Sequence, residues 1–261
     1  MINRVLFQSI YKGMVMSPEK VSKRQKRREQ MQRQQQRQRL ILIGLVVLGA
    51  ALVVFALVYP NVKSVGEIIT VTPPTLPNAN GLSLGDASAP ATIDVFEDFQ
   101  CPACKSFTEG VEPLVIENLV TPGKARYVFH NYPFIDGNGV ASGGESDQAA
   151  NASMCANDQG KFWNMHASLY ANWNGENQGN LSDRRLQAMA ESIGLDMNAF
   201  NACFNANKFK ADIQADFEKG QEMGVNGTPT VFVNGTQVGQ AGKIATYDEI
   251  AQAVNALNPP Q

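Results

Sequence analysis

The hydropathy pattern opens on one long feature, residues 40–59, which run for 20 positions without a charge. A helix rising 1.5 Å per residue over that length crosses the roughly 30 Å hydrocarbon core of a bilayer. Ahead of it, residues 20–39 form a Lys/Arg/Gln run of low complexity, read as a solvated helix or tail. Behind it, residues 60–84 hold Pro73, Pro74, Pro77, Asn78, Asn80 and Gly81 with little periodicity, which predicts a flexible linker.

From residue 85 the pattern changes to short periodic segments. Residues 92–99 (TIDVFEDF) are rich in β-branched and aromatic side chains and predict a buried strand. An apolar-periodic helix follows. It continues over 111–120 with a break at Pro113 and stops at Pro122-Gly123. Residues 125–129 (ARYVF) predict a second strand, and the intervening helix makes the two parallel. Residues 140–223 carry no strand signal. Segments 145–157, 161–173, 183–193, 197–205 and 209–223 each predict a helix, interrupted by GENQGN at 175–180 and by Gly194. Residues 230–233, Asn234-Gly235 and 236–238 then read as strand, tight turn and strand, and 247–257 as a closing amphipathic helix.

Charge changes this picture through its asymmetry. Residues 1–39 hold 11 Lys or Arg against two acids, Glu19 and Glu29, whereas the rest holds 11 basic and 22 acidic residues. The positive charge precedes the apolar run, and Lys63 alone follows it closely. The positive-inside rule therefore makes 1–39 a cytoplasmic tail, 40–59 a transmembrane helix or signal anchor, and the remainder extracytoplasmic. A cleavable signal peptide is the rival reading, with Val54-Phe55-Ala56 as its small-residue site, but the apolar run is long for one. Met14 and Met16 are alternative starts. The basic block lacks interleaved aromatics, so nucleic acid is not an expected partner. Four cysteines, an even number, suit an oxidising compartment.

Two of those cysteines carry the chemistry. Cys101-Pro102-Ala103-Cys104 lies between the predicted strand and helix, with Pro102 at the first helical position, where its missing N–H costs nothing. Cys101 then caps the helix, where orphan N–H groups favour a thiolate. Cys104 sits one turn on, within disulfide reach. A zinc knuckle would need a second close pair of ligands, and Cys155 and Cys203 stand alone. His130 and His166 are far apart in sequence, so no metal site is expected. Phe162, Trp163, Tyr170 and Trp173 fall at near-helical spacing and read as the core of the helical region.

DFQCPACKSF around the cysteines, GKFWNMHASLY in the helical region and GVNGTPTVFVNG near the end, in this order of elements, resemble the DsbA-like branch of thiol:disulfide oxidoreductases over residues 84–257. The resemblance implies an α/β thioredoxin fold, a central mixed sheet flanked by helices, over residues 85–258, with an all-helical insertion at about 140–223. It makes Cys101 the exposed nucleophile, Cys104 the resolving thiol, and Pro229 a cis-proline facing them beside the Thr228 backbone. It implies no bound cofactor.

Two departures stand out. Related proteins carry a buried acid six residues before the first cysteine, where this chain has Val95. Glu97 shares that strand face and is the substitute, an exposed or salt-bridged Glu97 being the alternative; Asp98 points the other way. The Pro102-Ala103 dipeptide also lacks a histidine, which predicts a milder oxidant. Cys155 and Cys203, 48 residues apart, resemble the second disulfide of some DsbA-like proteins, a structural bridge; a redox relay is the alternative.

The expected activity is donation of the Cys101–Cys104 disulfide to exported proteins with free thiols, followed by reoxidation by a quinone-linked membrane partner of the DsbB or vitamin K epoxide reductase-like kind. The alternatives are a reductase or isomerase, for example in cytochrome c maturation, and a non-catalytic tethered peptide-binding module.

Overall fold

The computed structural model describes residues 18–62, 65–72, 76–137, 143–240 and 242–257, with side chains left undescribed at 18–21 and 60–62. Met14, Met16, Lys63, Pro73, Pro74 and the first residues of the helical insertion lie outside these. The chain divides into two units between Ser64 and Val65.

The first unit contains helix α1 (Pro18–Val62), one continuous element through the Lys/Arg/Gln run and the apolar run. Gln, Lys, Arg and Leu are all good helix formers, so nothing in the sequence breaks it before Pro60. Leu42, Val46, Val53 and Leu57 among others are fully displayed at its surface. One apolar stretch of this helix is long enough to cross a membrane.

The second unit is a five-stranded mixed sheet with strand order β1-β3-β2-β4-β5. The strands are β1 (Ser83–Leu84), β2 (Ala91–Glu97), β3 (Ala125–Asn131), β4 (Thr230–Val233) and β5 (Thr236–Val238). β2 and β3 are parallel, from Ala91 opposite Ala125 to Glu97 opposite Asn131, and β4 runs antiparallel to β2. Between β2 and β3 lie α2 (Pro102–Gly110), α3 (Glu112–Val115) and a π-helical turn over Ile116–Val120. The break at Val111 falls ahead of Pro113, whose nitrogen has no proton to continue the ladder. Among the described residues of the insertion the regular elements are helices: α4 (Glu145–Asn157), α5 (Phe162–Ala171), α6 (Asp183–Ser192), α7 (Met197–Asn205) and α8 (Lys210–Glu222). Helix α9 (Tyr247–Leu257) closes the chain.

The two-residue period of β2 sorts the core. Ile93 and Val95 join Tyr127, Phe129, Val231 and Val233 in the larger apolar cluster with α2 and the insertion. Phe96 points to the opposite face, into a smaller cluster with Tyr132, Phe217 of α8, Val225 and Phe232. On that face His130 bridges Asp94 at 2.7 Å and Asp216 of α8 at 3.0 Å. Phe162, Trp163 and Tyr170 are buried in the larger cluster.

The stretch read as a linker is not free along its length. Asn172 at the end of α5 donates to the Ile69 carbonyl and accepts from the Ile69 N–H, both at 2.9 Å. Arg185 of α6 holds the Val65 carbonyl. β1, absent from the sequence reading, pairs with β3 ahead of Gly85. Two residues carry too little periodicity to be recognised.

Helix α8 approaches the sheet through Gly220, where an added Cβ would lie 2.6 Å from a Tyr132 ring atom and 3.1 Å from Phe96. Alanine would gain about 1 kcal/mol of helix propensity. That gain is smaller than the roughly 1–3 kcal/mol that overpacking costs. Gly220→Ala is expected to lower the urea midpoint, and an unchanged or raised midpoint would refute this account of the helix–sheet contact.

Candidate functional site

The site grows from the point where β2 ends and α2 begins. Cys101 occupies the N-cap of α2 with extended backbone angles (φ −72°, ψ 122°), and Pro102 opens the helix. Both Cys101 and Cys104 are free thiols. The resemblance implied an exposed Cys101, yet only 6% of it reaches solvent, because the Thr228-Pro229 loop lies over it; Cys104 is fully enclosed. The Thr228-Pro229 bond is cis, and the Cys101 thiol donates to the Thr228 carbonyl at 3.2 Å.

The two sulfurs sit in opposite environments. A hydrogen bond from Cys104 to the Cys101 sulfur, working against partial burial and helped by the Cys104 and Ala103 N–H groups, lowers the Cys101 pKa to about 6. That lies between the roughly 7 of thioredoxin and 3.5 of DsbA. Burial, and the hydrogen bond it gives Cys101, push the Cys104 thiol well above its ordinary value. At neutral pH the pair carries one negative charge, and it rests on Cys101.

Glu97, last residue of β2, continues the inward face of Ile93 and Val95 and is 1% exposed. Its carboxyl accepts from the Tyr170 hydroxyl at 2.6 Å and from those of Tyr127 and Thr108 at 3.4 and 3.5 Å. Burial, only partly offset by these bonds, raises its pKa to about 8. Asp98, on the other side of the chain, is equally buried. It accepts from the N–H groups of Gln100, Phe134 and Ile135 and from the Ser146 hydroxyl, so it fastens the loop after β3 to the strand end. Burial raises its pKa to about 6.

Three residues beside Glu97 escaped the sequence reading as a group. Glu112 of α3 is buried and accepts from Tyr127 at 3.1 Å, so Tyr127 spans both carboxyls. His166 of α5 places Nε2 3.7 Å from a Glu112 oxygen, and burial drops its pKa to about 3. These residues come from β2, α3, β3 and α5, with no shared spacing that sequence could reveal. On the far side of Cys101 a groove of about 340 Å³ is lined by Ala103, Phe134, Gly227, Thr228, Pro229 and Lys243 among others. Cys155 and Cys203 lie away from this group, joined in a disulfide that ties α4 to α7 with Cα atoms 5.9 Å apart.

A strand–CxxC–helix unit facing a cis-proline loop, on a β1-β3-β2-β4-β5 sheet, defines the thioredoxin class. Residues 78–256 match the family model described as Thioredoxin, and the chain belongs to that family. Within it, a probable disulfide bond formation protein D of Bacillus cereus is 30% identical over 157 residues, covering 59% of this chain and 69% of that protein. The crystal structure of oxidised BdbD from Bacillus subtilis superposes with a TM-score of 0.59 at 24% identity, over 74% of this chain and all of that one. The sodium/proton antiporter NhaA 1 of Salinispora arenicola is 35% identical over 151 residues, which cover 58% of this chain and 21% of that protein. The chain is a DsbA-like protein thiol:disulfide oxidoreductase.

In the reduced protein Cys101 is expected to be alkylated at a rate that rises through about pH 6, and Cys104 to stay unreactive across that range. A thiol pKa depressed on folding adds stability that is complete above the ordinary value near 9 and disappears as pH falls through about 6. The stability of the reduced form relative to the disulfide form is therefore expected to fall between pH 9 and 6. Parallel denaturant titrations of both forms check this, and a pH-independent difference would contradict it.

Proposed function

We propose that the chain is an extracytoplasmic oxidase that donates a Cys101–Cys104 disulfide to exported proteins. In this reading α1 anchors the domain in the membrane by its apolar stretch at 40–59, with residues 1–39 in the cytoplasm. A substrate thiolate attacks the Cys101 sulfur of the disulfide, and Cys104 leaves with the bonding pair. Glu97, largely protonated at neutral pH, supplies the proton that the buried Cys104 cannot take from bulk water. The second substrate thiolate attacks the substrate sulfur of the mixed disulfide, and Cys101 departs as the thiolate. Two electrons pass from two substrate thiols to the protein dithiol, so the protein must be reoxidised. A quinone-linked membrane partner of the DsbB or vitamin K epoxide reductase-like kind fits that need. The groove along Thr228 and Pro229, with Ala103 in its lining, offers backbone groups to an extended substrate chain. The Cys155–Cys203 bridge has a structural role.

One observation carries the direction of transfer. The environment of Cys101 favours its thiolate, which stabilises the reduced form and makes the disulfide a better electron acceptor. Without a charged residue between the cysteines the effect is moderate.

Two measurements test this. The potential of the full-length chain, titrated in glutathione buffers, is expected at roughly −120 to −180 mV, whereas roughly −270 mV or below points to a reductase instead. Cys104→Ser should accumulate substrate mixed disulfides on Cys101, and Cys101→Ser should form none; trapping on the Cys101→Ser chain would reverse the two roles.

A further inference from the structure

We propose that Glu97, Glu112 and His166 form a binding site for one divalent transition-metal ion, zinc fitting best, behind the dithiol. The three offer one ligand atom each, all within 4.8 Å of one another, and all three residues are buried. Around a tetrahedral zinc ion, with bonds of about 2.0–2.2 Å to nitrogen and carboxylate oxygen, ligand atoms stand roughly 3.5 Å apart. The His166 Nε2 to Glu112 oxygen distance is already 3.7 Å, so rotation of the two glutamate side chains closes the set.

The ordinary explanation of two adjacent buried carboxyls is that protons neutralise them, with the Tyr127 hydroxyl spanning the pair. That arrangement satisfies the carboxyls and leaves one atom unexplained. His166 is 2% exposed, and its Nε2 is aimed at the acids with no hydrogen-bond partner. An unpaired buried polar atom costs about 1–3 kcal/mol. A metal ion supplies its missing partner and the positive charge that both acids need.

The surroundings match what metal ligands require. Tyr170 and Tyr127 donate to the two carboxylates, the usual outer-shell arrangement. The rings of Phe99, Phe129, Phe162, Trp163 and Tyr170 hold the His166 imidazole from all sides. A cavity of about 600 Å³, lined by Glu112, Trp163, His166 and Tyr170, gives an entry path and room for water in the fourth position. One imidazole nitrogen and two oxygens favour zinc over calcium or magnesium, which take six or more oxygen ligands. The site does not depend on which way electrons flow through the dithiol; ion binding displaces the Glu97 proton, so the metal-bound form is distinct from the form that protonates Cys104.

Reduced thiols also bind zinc, so the test removes them. Untagged full-length chain carrying Cys101→Ala and Cys104→Ala is titrated with Zn²⁺ by calorimetry and with Co²⁺ by visible absorption. One ion per chain is expected, with cobalt d–d bands and no thiolate charge-transfer band. Glu112→Gln or His166→Gln, added separately, should each weaken binding by more than the roughly 10–100-fold typical of an outer-shell partner. No saturable binding in the parent, or unchanged binding in either folded variant, overturns the site. Should a substitution unfold the chain, X-ray absorption of the zinc-loaded parent decides, because a shell without imidazole nitrogen overturns it equally.

Discussion

Everything in the catalytic half of this fold follows from where one negative charge can rest. Two sulfurs a single helical turn apart share a hydrogen bond, and the protein treats them differently. The Cys104 thiol and the N–H groups at the start of α2 receive a charge on Cys101. The apolar core disfavours one on Cys104, and so does the hydrogen bond it gives Cys101. Had both thiols the same surroundings, the disulfide would have no preferred side for attack. The asymmetry rests on backbone placement rather than on a special side chain between the cysteines, since Pro102 and Ala103 bring no charge.

The register of β2 extends that asymmetry into the interior. A strand that ends with an acid on its apolar face must either find partners for it or shed its charge. Here both occur: three hydroxyls converge on Glu97 from α2, β3 and α5, and burial still keeps its proton on at neutral pH. A shift of one residue would bring Phe96 into this position and turn Glu97 toward α8, emptying the site and burying a charge beside Asp94.

Much of this was legible in the sequence because it is local. The alternation in TIDVFEDF, the CPAC punctuation, the Asn-Gly turn and the periodic helices of the insertion each lie within a dozen residues, and the observed elements follow them closely. The face shared by Val95 and Glu97 was readable from the strand period alone. What escaped depends on contacts between distant segments. Glu112 looks like one more acid on a helix until α3 turns it toward β3. His166 sits in a helix otherwise read as core. The docking of Ile69 on Asn172 joins positions 103 apart with no pattern in either. A buried strand of two residues, Ser83 and Leu84, has nothing to alternate.

The bridge between α4 and α7 bears on how the protein is made. Cys155 is 1% exposed and Cys203 8%, so the packed helices enclose the first sulfur and leave the second at the edge. Both sulfurs are fully open to an oxidant only while α4 and α7 are still apart. Synthesis of this catalyst thus calls for thiol chemistry of the kind it performs, supplied to the unfinished chain by an earlier copy or by another oxidant. An oxidant at work where the chain folds closes this bond most readily, which ties the finished protein to the redox state of that place.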